Sequence, residues 1–349
     1  MGKISLQNRI FGTVKSFSLR GVLLTKDDYQ TLAESRDLDE FITRLKNTRY
    51  LEPASQVQKP YTAQAIELAL KTDLINYHAM MNKVAANSDL VPAYFIRYMV
   101  WNLKLILKSK ALNKTEEEIR GKLNLRAEEI MGKRDIIVRA LVTRDLDEAV
   151  ASLQQTEFGK DAQEAVRVYR ERNDIQAFDT YLDHAFYNKL YNAIRNAEQE
   201  AKSMVMRELD AYNILSILRG KFWNLKEEQI QGLVVGRSPS LSKDTMQKMI
   251  SAYNIQEALA VLSNTPYRDL VPQQAVDDIT AITGIEEAFD AMLLKEYLAT
   301  YLKPFREANI LAAIKLKSIE IRNLAAIATG VEQRIPTDVI MQRLIILRT

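Results

Sequence analysis

The stretch Asp145-Leu146-Asp147-Glu148-Ala149-Val150-Ala151-Ser152-Leu153 decides the fold, because the chain contains it three times in related form. The other copies are Asp37-Leu38-Asp39-Glu40-Phe41-Ile42-Thr43-Arg44-Leu45 and Asn254-Ile255-Gln256-Glu257-Ala258-Leu259-Ala260-Val261-Leu262. Each copy begins with Asp or Asn and carries Glu three residues later, an Asx variant of the capping box that marks a helix start. Apolar residues follow at helical spacing, so one face of a short helix is expected to be buried. A Thr and an aromatic residue follow every copy, namely Thr48 and Tyr50, Thr156 and Phe158, and Thr265 and Tyr267.

The spacing of the copies indicates domain-sized repeats. They end at Leu45, Leu153 and Leu262, which are 108 and 109 residues apart. Solenoid repeats have periods of about 20–50 residues, so this period is that of a small domain. Two further landmarks recur with a similar step: Ala65-Ile66-Glu67, Ala177-Phe178-Asp179 and Ala288-Phe289-Asp290, and the stretches that begin at Asn102, Asn213 and Asn323. The sequence therefore predicts three helical units, 1–114, 115–235 and 236–349.

Composition favours an all-α fold. Apolar residues make up 47% of the 349 residues, which is enough to fill one large core or several modest ones. The 11 glycines and 8 prolines are about half or less of average usage, so flexible linkers and all-β turns are disfavoured. We expect long helices over 197–219, ended by Gly220 as a C-cap, over 285–301, and over 308–329, ended by Gly330.

Charge and cysteine content exclude several classes of function. The 48 Lys and Arg balance 45 Asp and Glu, so the net charge of +3 does not favour nucleic acid binding. The chain has no cysteine, which excludes disulfides, thiol catalysis and Cys-ligated zinc and fits an intracellular protein without a secretion signal. Its longest apolar tract, 90–107, is interrupted by Arg97, Asn102 and Lys104 and falls short of the roughly 20 apolar residues of a spanning helix. A soluble chain is expected.

No pattern of catalytic or cofactor-binding residues is visible. His78 and His184 are far apart in sequence and belong to no metal-ligand motif. His184 is interpreted as a packing or boundary histidine, and neither histidine is interpreted as catalytic. The Gly-Lys pairs lack the second glycine and the Ser or Thr of a phosphate-binding loop. We therefore expect no cofactor, no metal and no active site, and an interaction or structural role rather than an enzyme.

Two sets of charged residues have alternative interpretations. Lys104, Lys108 and Lys110 near Trp101 are either a basic surface for lipid or RNA or, as we favour, a solvated face with Trp101 in the core. The repeated acids Glu40, Glu148 and Glu257 suggest a ring of carboxylates, but helix capping explains all three.

The second and third units resemble the family of C subunits of archaeal-type (A-type) and V-type ATP synthases, the counterpart of the vacuolar ATPase d subunit. In the second unit the resemblance lies in Tyr181-Leu182-Asp183, Phe186-Tyr187, Leu209-Asp210-Ala211-Tyr212-Asn213-Ile214-Leu215 and Leu218-Arg219-Gly220-Lys221. In the third it lies in Asn264-Thr265-Pro266-Tyr267, Glu320-Ile321-Arg322-Asn323-Leu324, Ile327, Gly330, Pro336 and Ile340. The resemblance spans nearly the full length and is weakest in the first 20 residues, where only Arg20 to Leu24 is shared.

The resemblance implies three similar helical domains arranged as a funnel with approximate threefold symmetry. Such a funnel would sit on the membrane proteolipid ring, at the cytoplasmic face and peripheral to the membrane, and receive the central stalk as a non-catalytic rotor adaptor. We expect the three short capped helices to line one end of the funnel, with Lys46, Arg49 and Arg268 in the partner interface. The alternative is a helical scaffold for RNA or another protein complex.

Overall fold

The computed structural model describes residues 5–85, 88–236, 238, 240–272 and 277–346, and these are all-α, with no strand among them. The remaining positions of the three predicted units, including 1–4 and 347–349, lie outside the described residues. Up to residue 111 the helices are α1 (Leu6–Arg20), α2 (Lys26–Ala33), α3 (Leu38–Lys46), α4 (Leu51–Gln56), α5 (Ala63–Val84) and α6 (Leu90–Ala111). Up to residue 233 they are α7 (Glu116–Arg120), α8 (Arg126–Met131), α9 (Arg134–Leu141), α10 (Leu146–Ser152), α11 (Gly159–Arg172), α12 (Ala177–Ala193), α13 (Gln199–Phe222) and α14 (Glu227–Leu233). The last are α15 (Lys243–Ser251), α16 (Ile255–Ala260), α17 (Asp278–Ala299), α18 (Glu307–Glu332) and α19 (Thr337–Gln342).

The repeated capping motif forms the same hydrogen bonds in all three copies. In α10 the Asp145 carboxylate accepts from the Glu148 N–H at 2.9 Å, and the Glu148 carboxylate accepts from the Arg144 N–H at 3.0 Å. The glutamate thus reaches the residue before the N-cap, one position further than in the usual capping box. After the helix, the Thr156 hydroxyl donates to the Leu153 carbonyl and accepts from the Phe158 N–H. The other copies repeat these bonds through Asp37, Glu40, Thr48 and Tyr50, and through Asn254, Glu257, Thr265 and Tyr267.

The asparagine landmark is a second repeated device. The Asn213 side chain donates to the carbonyl of Val235 at 2.9 Å and accepts from its N–H at 2.8 Å. Both backbone groups are buried and would otherwise need other partners. Asn102 makes the same pair with Asn124, and Asn323 with Ile345, each 22 residues further along the chain.

The prediction that Gly220 and Gly330 end their helices is wrong. Both lie inside α13 and α18, which continue to Phe222 and Glu332. The left-handed residues that end the helices are Asn224 and Arg334, at φ 51° and 56°. The two glycines are needed for close packing, because a Cβ on Gly220 would lie 2.8 Å from Ile230 and one on Gly330 would lie 2.5 Å from Ile340.

The long helix predicted over 285–301 begins earlier than expected. It starts at Asp278 rather than at residue 285, with Asp277 as its N-cap. The Asp277 carboxylate accepts from the Thr280 N–H at 2.7 Å and so satisfies a free donor of the first turn.

Each set of short helices packs on a long helix of the preceding sequence unit. Helix α10 contacts α6, and α16 contacts α13. The first set closes the series, because α2 and α3 contact α18, the last long helix. The arrangement of the three units as a funnel stays a prediction.

One described helix, α6, is long and apolar enough to cross a membrane. However, 72% of its apolar window is buried within the protein, as in the core helix of a globular chain. Its apolar residues are thus buried by packing against α5, α12 and the short helices α8 to α10.

A central polar cavity as candidate functional site

Side chains of six long helices line a central cavity of about 640 Å³ that is open to solvent. Its wall is formed by side chains of α5 and α6, of α12 and α13, and of α17 and α18. The two long helices of each predicted unit therefore contribute to it. Charged and aromatic residues predominate among the lining side chains, which include Lys71, Arg97, Trp101, Lys104, Tyr187, Glu208, Tyr297, Lys315 and Arg322.

The acidic landmark residues of the three units all line this cavity. Glu67 and Asp179 lie near the starts of α5 and α12, whereas Asp290 lies in the middle of α17. Each is paired: Glu67 with Lys71 at 2.6 Å, Asp179 with the lysines of α6, and Asp290 with Arg322 at 2.9 Å. Burial raises the pKa of Asp290, and the neighbouring Arg322 opposes that rise. Asp179 and Asp290 therefore join neighbouring helices around the cavity, whereas the Glu67–Lys71 pair lies within α5.

A buried ion pair closes one side of the cavity. Lys315 on α18 lies 2.6 Å from Glu208 on α13, and their side chains are only 12% and 3% exposed. Tyr94 and Tyr297 donate their hydroxyls to the same carboxylate at 2.9 and 2.7 Å. Burial lowers the pKa of Lys315 to about 8, and the Glu208 charge opposes this shift. Side chains of four helices, α6, α13, α17 and α18, therefore meet in this group.

Both histidines form hydrogen bonds with neighbouring residues. His78 is buried, with its ring nitrogens 3.0 Å from the Tyr98 hydroxyl and 2.9 Å from the Val91 carbonyl. Burial lowers its pKa to about 3, which keeps it neutral. His184 lies 2.7 Å from Asp161, and no group of acids and histidines suited to a metal ion occurs within the described ranges.

The lysines near Trp101 form neither of the two surfaces considered for them. Lys104 lies 2.8 Å from Asp183, Lys108 pairs with Asp179, and Lys110 donates to the Thr143 carbonyl. They join α6 to α12 and to the segment before α10. Trp101 is half-buried at the cavity wall rather than in the core, with the Lys71 ammonium 5.1 Å from its ring.

The predicted partner residues lie in different surroundings. Lys46, at the end of α3, is half-buried, and Arg268 is exposed and paired with Asp269 at 3.1 Å. Arg49 is packed between α3 and α18, with only 17% of its side chain exposed and Glu320 at 3.9 Å. The acids Glu40, Glu148 and Glu257 cap helices, as interpreted from the sequence.

The cavity acids were visible in the sequence only as repeat landmarks. Their recurrence as Glu, Asp and Asp beside apolar residues that lie on the buried face was the one signal of a shared location. The Glu208–Lys315 pair gave no signal, because its partners lie 107 residues apart and belong to no repeated stretch.

Comparisons with known proteins agree over nearly the full length. The family model described as ATP synthase (C/AC39) subunit matches residues 14–343. The C subunit of the A-type ATP synthase of Thermococcus kodakarensis is 25% identical over 332 residues, which cover 93% of this chain and 87% of the relative. That of Methanocaldococcus jannaschii is 24% identical, covering 90% and 80%, and that of Haloferax volcanii is 27% identical, covering 74% of each. The chain therefore belongs to the ATP synthase (C/AC39) subunit family.

Proposed function

We propose that this chain is a non-catalytic adaptor in the central rotor of an A-type or V-type ATP synthase. It would connect the membrane proteolipid ring to the central stalk, so that ion-driven rotation reaches the subunits that make or hydrolyse ATP. The match to C subunits of A-type ATP synthases along most of both chains supports this role.

The observation that carries the proposal is the closed series of contacts between units. Helix α18 is joined to the first unit at its middle and at its C-terminal end: the Glu320 carboxylate accepts from the Leu24 N–H at 2.8 Å, and the Glu332 carboxylate accepts from the Ala63 N–H at 3.0 Å. Lys317, three residues before Glu320, pairs with Asp73. A body whose first and last segments are bonded together has no open end at which to hinge. Such stiffness is what a torque-carrying part requires, because close-packed interiors transmit strain.

The arrangement suits three equivalent domains in a funnel. Units 1–114, 115–235 and 236–349 would be related by approximate threefold symmetry, with the cavity as the lumen. Central-stalk subunits would enter from the side of the short capped helices. The proteolipid ring would lie at the opposite end, with the chain peripheral to the cytoplasmic face of the membrane.

The partner interface would include Lys46, Arg49 and Arg268. Arg268 is exposed and Lys46 is half-buried, and their positive charges suit an acidic partner surface. Arg49 would support this surface from below, because its guanidinium lies 3.9 Å from the Glu320 carboxylate and 5.2 Å from the Tyr50 ring.

The chain would have no active site of its own. The cavity carboxylates Glu67, Asp179, Glu208 and Asp290 each have a cationic partner within the wall. Catalysis of ATP synthesis would belong to other subunits, and this chain would contribute only mechanical coupling.

Purification of the endogenous chain from detergent-solubilised membranes tests the role. The adaptor role predicts that proteolipid, stalk and catalytic subunits co-purify with one copy of this chain per complex. Recovery with ribonucleoprotein, or with no ATPase subunit, would contradict it.

A further inference from the structure

Helix α1 buries its small residues and exposes its large apolar ones, the reverse of an ordinary surface helix. Its buried positions are Gly12, Thr13, Ser16 and Leu19, and Leu19 is the one large apolar residue among them. Five large apolar side chains are exposed instead, among them Leu6 at 71% and Val14 at 59%; the set is Leu6, Ile10, Phe11, Val14 and Phe17. Four of these follow the spacing of one helical face. The family match begins at residue 14, so it does not account for most of this face.

The apolar surface continues onto the segment between α17 and α18. Leu302 is 83% exposed and Phe305 is 46% exposed. Seventeen large apolar residues are exposed among those that the structure describes, and eight of them lie within 6–22 and 302–305. Exposed apolar residues normally lie singly, whereas a concentrated patch marks an interaction surface. We name α1 together with residues 300–306 the apolar platform.

The apolar platform is held firmly against the body. A Cβ on Gly12 would lie 2.8 Å from Ile310, so α1 packs closely on α18. The Thr13 hydroxyl accepts from the Phe305 N–H at 3.1 Å, and the Tyr301 hydroxyl donates to the Ser16 carbonyl at 3.3 Å. Phe17 packs edge-on against the Tyr301 ring. The exposed face is thus a fixed part of the fold.

The charge of the apolar platform has one sign. Residues 5–25 and 300–306 contain no Asp or Glu. Lys15, Arg20, Lys303 and Arg306 are exposed there, and Arg9 is paired with Glu198. A helix with large apolar residues on one face and cations at its margins is the pattern of a helix that lies in a membrane interface.

We propose that the apolar platform binds an anionic phospholipid surface. Leu6, Ile10, Val14 and Leu302 would enter the boundary between headgroups and acyl chains, while Lys15 and Lys303 would contact the headgroup phosphates. The inference rests on the proposed function for a place beside a membrane, and it adds a lipid contact made by this chain itself. It also orients the chain, because α1 packs on Ile310 near the start of α18, whereas the segments before the capped helices α10 and α16 accept from Lys110 and Lys221 near the ends of α6 and α13.

Co-flotation of the purified full-length chain with vesicles tests this proposal. We expect binding to vesicles of phosphatidylglycerol and phosphatidylcholine, weakening with salt, and little binding to phosphatidylcholine alone. The triple variant Ile10→Gln, Val14→Gln, Leu302→Gln should lose at least about tenfold in apparent affinity. Lys15→Glu with Lys303→Glu should lose at least about fivefold for each position.

Matched controls change residues of the same kind elsewhere. Tyr253→Gln and Ile279→Gln alter side chains that are 91% and 61% exposed outside the apolar platform, and Lys243→Glu alters an exposed charge. These should leave vesicle binding unchanged, and every variant should keep the wild-type unfolding midpoint.

Equal binding to both vesicle types, or unchanged binding of the triple variant, would overturn the proposal. A third result would also overturn it: the wild-type chain does not bind vesicles, and the complex purified with the triple variant lacks rotor subunits. The apolar platform would then contact protein rather than lipid. In that outcome the adaptor role stands. Absence of rotor subunits from the wild-type purification would instead refute the adaptor role, whatever the vesicles show.

Discussion

Asn213 fixes Val235 through both of that residue's backbone groups, with bonds of 2.9 and 2.8 Å across 22 residues of chain. The residues between them form the end of α13, the turn at Asn224 and helix α14. One side chain thus fixes the path of the backbone that follows a long helix. The same relation at Asn102 and Asn323 shows that the repeat extends to individual hydrogen bonds.

Asn213→Ala should lower the free energy of unfolding by about 2–4 kcal/mol, because it leaves a buried N–H and carbonyl of Val235 without partners. Chemical denaturation followed by circular dichroism measures this. Asn192→Ala changes an exposed asparagine in α12 and should cost less than about 0.5 kcal/mol. Equal losses of unfolding free energy in the two variants would mean that the Asn213 hydrogen bonds do not stabilise the fold.

Gly330→Ala should destabilise the protein by about 1–3 kcal/mol, although alanine favours helix, because its Cβ would meet the Ile340 side chain at 2.5 Å. Gly232 in α14 is the matched control, since no atom lies within 4 Å of a Cβ placed there. Gly232→Ala should be neutral or stabilising by up to about 1 kcal/mol. Thermal unfolding of both variants decides this, and destabilisation by the control alone would refute the packing explanation.

Glu296→Gln should change how stability depends on pH. Burial raises the pKa of Glu296 from 4.5 to about 7, with Arg207 opposing the shift. The folded protein therefore binds a proton that the unfolded chain releases, and the wild type loses this contribution as pH rises from about 4.5 to about 7. The variant should match the wild type near pH 4.5 and exceed it at pH 8 by up to about 3 kcal/mol.

Denaturation at several pH values measures the Glu296 effect. Glu286→Gln alters another carboxylate of α17 that pairs with an arginine, but its side chain is 41% exposed. At a single pH it shows what the loss of an ion pair from this helix costs. A difference between Glu296→Gln and the wild type that stays constant with pH would contradict the buried-carboxylate explanation.

Charge reversal separates surface residues from a packed one in the predicted partner interface. Lys46→Glu and Arg268→Glu should leave the unfolding midpoint unchanged and weaken binding to the isolated central stalk by about threefold to tenfold each. Arg49→Glu should instead lower stability by about 3 kcal/mol or more, because it places a second carboxylate beside the buried Glu320. Binding titrations and thermal unfolding on the same samples distinguish these outcomes. Unchanged stalk binding by both surface variants would remove these residues from the interface.

The repeat and the all-α class could be predicted because both depend on local sequence. Caps such as Asp145 with Glu148 act within four residues, so they leave a readable pattern. Helix ends were harder to place, since Gly220 and Gly330 are also the residues used for close packing and not only for helix termination. In this fold the two glycines allow close packing, and Asn224 and Arg334 adopt the left-handed conformation after the helices.

The central cavity could not be predicted, because its pairs join distant parts of the chain. Lys315 and Glu208 come together only after α13 and α18 pack, and nothing near either residue indicates its partner. The exposed face of α1 was missed for a related reason. A row of large apolar residues at helical spacing predicts burial, and only the structure shows that the small residues of α1 face the core instead.

The most direct test of the adaptor role compares reconstituted rotary complexes with and without this chain, measuring ATP hydrolysis and ATP-driven ion transport in the same vesicles. The adaptor role predicts that hydrolysis by the catalytic subunits continues without the chain while ion transport stops, and that adding the chain back restores transport. Full ion transport in complexes without the chain would contradict it.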